Sequence, residues 1–442
     1  MPLIFTRKAF LTITLAGLFA QLTLAQQIQP STVREELEGV VRVLCQNNPR
    51  SNARQWDREF GANTQNKASL PIKEFFLKAG LKPLGEEQGI QSFEGAGRNV
   101  IGMIEGKDAR LKNEFILIGA HYDNFGGNFP GAIDNAAGVA VMIEIARALA
   151  KNPPQRSLLF IAFDGGEQNN AGAKYYAEHP IVPLEKTAAM INLSGFGGGM
   201  SEKLYETLYV IGAEFSPQLR QAVSRHKRGD AYLALVGRDV TRWPGCEHFT
   251  FTLKQTPTIA ITNGVHYSQH SKADTPNRIN YDALDKHVAS LTKVVAEIAN
   301  TPGKIEKSSE PAFDADEAME WSRVLTALRE NVLKKPENDA GQARIDDVLF
   351  EMKRHQGRAV QDPKAREAVI LPAVNIVFFM ANPSGVDYNE MLNKARNYEQ
   401  SGQRPQAIAA YQKLLKFIEE ESRRDNKTVG EIRARLTKLQ GQ

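Results

Sequence analysis

Cysteine is scarce in this 442-residue chain: Cys45 and Cys246 are the only two, so at most one disulfide can form. Nothing in the sequence places them within bonding distance, and two free buried thiols are the plainer expectation. A charge excess of one sign is also missing. Lys and Arg outnumber Asp and Glu by 55 to 51, a net of +4, which is too small to argue for a nucleic-acid partner. Long apolar runs are absent as well. Ala9 to Ala20 and Ala368 to Ala381 fall short of the roughly 20 residues that a membrane span needs, and Pro372 and Asn375 interrupt the second. What remains is the composition of a globular protein, long enough for one large domain plus a smaller one.

The first apolar run has a reading of its own. Arg7 and Lys8 precede it and Thr23-Leu24-Ala25 follow it, the layout of a secretory signal peptide over residues 1–25. It predicts export to a periplasmic or extracellular compartment.

Beyond it, residues from Pro30 to Leu77 read as mainly helical. Thr32 to Glu35 opens the first helix with a capping box, and Leu37, Val40, Val41 and Leu44 supply an apolar face. Apolar runs at Val100–Ile104, Glu114–Ile118, Ser157–Phe163, Thr187–Leu193, Thr207–Ile211 and Pro257–Thr262 read as strands. Helices are predicted at Ala136–Lys151 and Ile279–Ala299. This alternation predicts an α/β domain over 26–303, with a mostly parallel central sheet flanked by helices. Residues Lys304 to Pro311 are polar and linker-like, and from Phe313 on the pattern is helical, with breaks at Pro336–Gly341 and Asn382–Gly385. The second domain, 304–442, is therefore expected to be all-helical.

The residues that carry chemistry fall at the ends of the predicted strands. His121, Asp134, Glu167 and His270 have the side chains that bind zinc, and a parallel sheet would bring such positions to one edge. Asp123 is placed to take the second ring proton of His121, and Asp274 to do the same for His270. Asn192-Leu193-Ser194 matches a glycosylation acceptor, but it falls on a predicted buried strand and is discounted.

The motifs HYD at 121–123, PGAIDNAAG at 130–138, FDGGEQ at 163–168, NLS at 192–194 and HSKADT at 270–275 resemble those of the zinc aminopeptidases with co-catalytic metals. Relatives of that family include the glutaminyl cyclases and the non-enzymatic ectodomain of the transferrin receptor. The resemblance runs from about Val33 to Ala299 and implies a zinc-exopeptidase-like fold. It also implies that Asp134 bridges two zincs, one completed by Glu167 and His270 and the other by His121 and an aspartate at position 194. Near 388–418, Ala395, Tyr398, Gly402, Ala407, Tyr411 and Leu415 resemble one tetratricopeptide unit, a helix pair with glycine at its turn. Such a tail suggests a protein partner.

Two positions depart from the family pattern. The general base that the family carries just before the glutamate ligand is Gly166 here, and the aspartate ligand is Ser194. Loss of a positioned base costs about a hundredfold to ten-thousandfold in rate, and a serine hydroxyl is a poor zinc ligand. One zinc is therefore expected rather than two, with His121 left as the remnant of a weak second site. Asp164, Glu247, His248 and His266 are the candidates for a substitute base, each with a structural hydrogen bond as the plainer role.

Three readings follow: an impaired aminopeptidase acting on peptide N-termini, a catalytically inactive binding protein that holds a peptide or protein on the same fold, and, least favoured, a glutaminyl cyclase.

Overall fold

The computed structural model describes residues 32–45, 58–61, 67–86, 88–126, 129–199, 201–235, 246–266, 268–312, 317–331, 339–354, 370, 372, 373, 376, 395–420 and 426–441. The expected signal peptide, most of Ala368–Ala381, the break at 382–385 and the first part of the repeat-like unit lie outside these residues. No helix among the described residues is long and apolar enough to cross a membrane.

Nine strands among the described residues join in one sheet. They are β1 (Lys82–Pro83), β2 (Ile90–Phe93), β3 (Gly97–Ile104), β4 (Phe115–His121), β5 (Ser157–Phe163), β6 (Thr187–Leu193), β7 (Thr207–Ile211), β8 (Tyr232–Leu235) and β9 (Thr258–Thr262). The order is β1-β3-β5-β4-β6-β9-β7-β8, with β2 hairpinned onto β3. The expected parallel sheet forms the centre, β5-β4-β6-β9. Antiparallel pairs of β3 with β5 and of β9 with β7 extend it on either side.

Side-chain alternation along the strands assigns the two faces. Ile116, Ile118, Ala120, Leu158, Phe160 and Ala162 join one core, covered by α1 (Val33–Cys45), α3 (Ala137–Ala150) and α7 (Tyr281–Asn300). Leu117, Leu159, Ile161 and Phe163 join another, covered by α4 (Ala171–Glu178) and α6 (His248–Leu253). Because both faces are covered, β5 is buried along its whole length, as its unbroken apolar run requires. The capping box forms at α1: Thr32 N–H donates to Glu35 Oε2 at 2.9 Å, and Glu35 N–H to Thr32 Oγ1 at 3.3 Å. Two further helices complete the domain: α2 (Ser69–Lys78), which packs on β3, and α5 (Pro217–Arg225), which starts on a Ser216 cap and packs on α7.

The polar segment after α7 is tied to the α/β domain. Ile305 is buried in the main core, Ser308 N–H donates to the Phe215 carbonyl at 2.7 Å, and Ala312 N–H to that of Glu214 at 2.8 Å. It leads into α8 (Glu317–Asn331) and α9 (Asp339–Arg354). Trp321, Val324, Leu325 and Leu328 from α8 share one core with Tyr209, Ile211 and Ala234 of the outer strands. Glu320, on the buried face of α8, pairs with Lys227 and accepts from the Tyr232 hydroxyl. The Arg323 guanidinium lies 3.8 Å from the centroid of the Tyr232 ring.

The last helices, α10 (Arg404–Glu420) and α11 (Asn426–Gln440), have a small core of their own with residues 395–400. Ala395, Tyr411, Leu414, Ile432 and Leu436 make it, and Gly402 takes the turn with φ +71°.

Because α8 completes a core that the strands share, removing Trp321 is expected to loosen the sheet edge as well as the helix. Trp321→Ala should cost about 3–5 kcal/mol of unfolding free energy, as large aromatic truncations do. Urea unfolding followed by far-UV circular dichroism checks this: a single transition moved to lower urea is expected, and an unchanged main transition would contradict it.

Candidate metal centre

Four chain segments meet at the C-terminal edge of the parallel strands, where α/β sheets present their sites. His121 is the last residue of β4, and Glu167 lies in the loop that follows β5. Asp134 sits in the kinked turn Ala132–Ala136 before α3, with non-helical φ/ψ of −123° and 88°. His270 belongs to the loop after β9 and has φ +57°.

Their side chains converge. Asp134 stands between two imidazoles: Oδ1 is 3.2 Å from His121 Nε2 and Oδ2 is 2.8 Å from His270 Nε2. His270 Nε2 is 3.7 Å from Glu167 Oε1. One ligand atom from each of His121, Asp134 and Glu167 lies within 4.8 Å of the others. His121, Asp134 and Glu167 thus form the group with metal-ligand spacing among the described residues, and half-exposed His270 adjoins it through Asp134, whereas the sequence points to Asp134, Glu167 and His270 as the complete set with His121 the outlier. Ser194 is half-buried at the end of β6, its N–H donating to the Ile261 carbonyl at 3.2 Å.

Two buried carboxylates hold the ligand loops. Asp123 accepts from the N–H groups of Gly166 at 2.7 Å and Glu167 at 3.0 Å. Asp274 accepts from those of Ile133 at 2.7 Å and Asp134 at 3.1 Å. Asp274 therefore orients the Asp134 turn, where the sequence suggested that it would serve His270. Asp123 Oδ1 also lies 3.3 Å from His121 Nδ1, yet that nitrogen is buried without a partner in hydrogen-bonding geometry.

Further supports were not legible in the sequence. Buried Arg58 donates to the carbonyls of Tyr122 at 2.6 Å, Pro130 at 2.7 Å and Gly131 at 2.9 Å, clamping the loop between His121 and Asp134. Gly131 turns that loop with φ +59°, and a Cβ there would lie 2.6 Å from the Asp134 carbonyl oxygen. Asn135 ties the strand ends together, donating to Leu193 O at 2.9 Å and accepting from Gly195 N–H at 3.1 Å. The neighbouring Asn192 of the glycosylation-like motif is buried in β6.

The candidate substitute bases fare unequally. Asp164 is occupied by Lys67 at 2.5 Å and by the N–H of Arg98 at 2.8 Å. His266 shares a 2.7 Å hydrogen bond with the Ser268 hydroxyl, and burial pulls its pKa down to about 4. His248 is buried at the start of α6. Glu247 is buried with neither carboxylate oxygen in a hydrogen bond, and burial raises its pKa. Cys45 and Cys246 form no disulfide, and the Cys45 sulfur accepts from Arg58 at 3.6 Å.

The electrostatics fit a cation. Burial opposes ionisation of Asp134, but the two histidines outweigh it and hold its pKa far below the usual range. Burial and then the Asp134 charge push Glu167 the other way, and its Oε1 is buried without a hydrogen bond. Burial lowers His270, but Asp134 and Glu167 raise it to about 9. Two imidazoles and two carboxylates, one with an orphaned oxygen, are a donor set suited to zinc.

A doubly covered α/β sheet with these donors at its parallel strand ends has the architecture of a zinc-exopeptidase domain. Residues 99–295, which lie within the α/β domain, match Peptidase family M28. The chain is 38% identical over 103 residues to a probable zinc metalloprotease of Pyrenophora tritici-repentis, covering 22% of this chain and 24% of that protein. It is 30% identical over 224 residues to endoplasmic reticulum metallopeptidase 1 of Mus musculus, covering 48% of this chain and 23% of that one. Each match thus spans under a quarter of the relative's own length, at 24% and 23%. Among solved structures, an aminopeptidase from Aneurinibacillus sp. strain AM-1 is 24% identical, with a TM-score of 0.41 and coverage of 49% of this chain and 51% of that one.

Metal binding here must displace protons, since imidazole ligates only when neutral. With His270 held protonated up to about 9, zinc affinity is expected to rise with pH toward that value. Calorimetric titration at pH 7 in two buffers of different ionisation enthalpy should register proton release, and heats independent of the buffer would refute it.

Proposed function

We propose that this chain is an exported zinc exopeptidase of aminopeptidase type, binding one zinc more firmly than two and turning over slowly. The convergence of His121, Asp134, Glu167 and His270 at one sheet edge carries the reading. Zinc held by these groups supplies Lewis acidity, polarising a carbonyl and acidifying water.

The chain's own residues account for the rest. Asp123 and Asp274 fix the Glu167 and Asp134 loops through pairs of backbone N–H groups, so both carboxylates are held ready before a ligand arrives. The acid-rich site favours a cationic group, which the free amine of a peptide supplies at neutral pH. Gly166 offers nothing to accept a proton, so the rate is expected to fall about a hundredfold to ten-thousandfold below that of a site with a positioned base. Gly166 equally favours a second reading, a peptide-binding protein that keeps the metal but not the reaction.

The test is zinc content per chain together with hydrolysis of a panel of aminoacyl chromogenic substrates. Slow, chelator-sensitive release that Glu167→Ala abolishes is the expected result. Bound zinc without turnover would transfer the case to the binding reading, and absence of bound zinc would remove both.

Export rests on Arg7, Lys8 and the apolar run that follows. Mass spectrometry of protein recovered from a secreting host should give a chain that begins at Gln26. An intact N-terminus in that fraction would refute the signal.

A further inference from the structure

A histidine that binds a metal through one ring nitrogen is usually oriented by a hydrogen bond at the other. His121 and His270 differ in this respect. His121 Nδ1 faces Asp123 at 3.3 Å, whereas both acidic contacts of His270, with Asp134 and Glu167, are made by Nε2. Among the described residues, His270 Nδ1 bonds to none. Asp274, the nearest acid in sequence, has both oxygens on the N–H groups of Ile133 and Asp134. The 2.8 Å contact of Nε2 with Asp134 Oδ2 joins two candidate ligand atoms, so it cannot orient the ring once both serve an ion. Burial does not hold the imidazole either, since it sits in a loop with φ +57° and half of its side chain is exposed.

The remaining constraint is aromatic. The Phe125 ring and the His270 imidazole meet edge to face, centroids 4.7 Å apart and planes at 78°, a geometry in which aromatic pairs attract. Phe125 has a firm base. In its loop after β4, Asn124 N–H donates to the Arg58 carbonyl at 3.1 Å, Asn124 Nδ2 to the Phe129 carbonyl at 2.9 Å, and Asn124 Oδ1 accepts from Gly126 N–H at 2.9 Å. The buried Phe129 ring packs on Phe125 with centroids 6.3 Å apart. A ring held this way resists rotation of the imidazole beside it. A carboxylate in the same role would add to the acids already crowded at the centre, and a phenyl ring adds no charge.

We infer that Phe125 is a positioning residue for His270: an edge-to-face aromatic contact, in place of a hydrogen bond, holds the imidazole beside Asp134. The inference rests on the zinc reading for its consequence, while the contact itself is testable without metal.

The experiment compares the full chain with Phe125→Leu, Phe125→Tyr, His270→Ala and the Phe125→Leu/His270→Ala double variant. Phe125→Met stands in if Phe125→Leu does not fold. In metal-free NMR spectra of histidine labelled at a ring carbon, His270→Ala identifies the His270 signal among the eight histidines. That signal is expected to move in Phe125→Leu, which loses the ring current, and to stay near its parent position in Phe125→Tyr. An unmoved signal in Phe125→Leu overturns the contact. In zinc titrations, Phe125→Leu should bind about 2- to 12-fold more weakly than the parent, the factor that an aromatic pair of ordinary strength represents, and Phe125→Tyr should match the parent. In the His270→Ala background, which keeps His121, Asp134 and Glu167, the leucine should cost nothing further. Unchanged affinity in Phe125→Leu, an equal loss in Phe125→Tyr, or an equal loss with and without His270 would each overturn the positioning role. If His270→Ala binds no zinc, the comparison of leucine with tyrosine decides. A parent chain that binds no zinc would sink the zinc reading, while the His270 signal still decides whether Phe125 holds the ring.

Discussion

Everything at the candidate metal centre depends on two buried carboxylates that each take a pair of consecutive backbone N–H groups. Asp123 holds Gly166 and Glu167, and Asp274 holds Ile133 and Asp134. The sheet brings four irregular segments to one edge, and irregular backbone has no ladder to satisfy its donors. A carboxylate serves two such donors at once through charge-assisted hydrogen bonds, which are stronger than neutral ones. Each ligand loop is fixed by an acid from a different loop, so the site assembles as a unit or not at all. Arg58 does the complementary work on carbonyls, closing the loop between His121 and Asp134.

The candidate ligands were legible because they are chemically conspicuous and sit where apolar runs stop. His121 follows Phe115–Ala120, and Glu167 follows Ser157–Phe163 within four residues. The outer parts of the sheet were harder to read. Strands β1, β2 and β8 are four residues or fewer, and such short pieces are defined by their neighbours more than by their own pattern. The supports were illegible for a different reason. Asp274 bonds to residues 140 and 141 positions away and Arg58 to residues 64 to 73 away, and no local pattern encodes such partners. Gly166 was read from its chemistry as a loss, and that a Cβ there would fall 2.5 Å from the His121 side chain is visible only once β4 and the loop after β5 lie side by side.

The helices beyond residue 304 also change in meaning when seen in place. By composition they begin a separate unit, yet α8 closes a core whose other half is β7 and β8. The outermost strand would otherwise expose an apolar face, a surface that soluble sheets usually cover. The buried Glu320 with Lys227 and the Tyr232 hydroxyl adds orientation more than net stability, because desolvating the pair offsets much of its attraction. The small core of α10 and α11 belongs to a different category, since its buried residues come from the tail alone.

The charge balance of the centre bears on whether it still serves a metal. Asp123, Asp134, Glu167, Glu247 and Asp274 gather about two histidines. Burial and mutual repulsion raise Glu167 and bring Asp274 up to about 7. So many acids in a low-dielectric space are destabilising unless a positive charge joins them. A site that had lost its metal along with its base would be relieved by neutral substitutions at the ligands, and the four ligand positions have none. Neutral residues stand at Gly166, the base position, and at Ser194, where the family pattern has its fifth ligand. Four donors kept and one replaced fit the proposed single zinc better than a pair, and the missing base bears on proton transfer within the same reading.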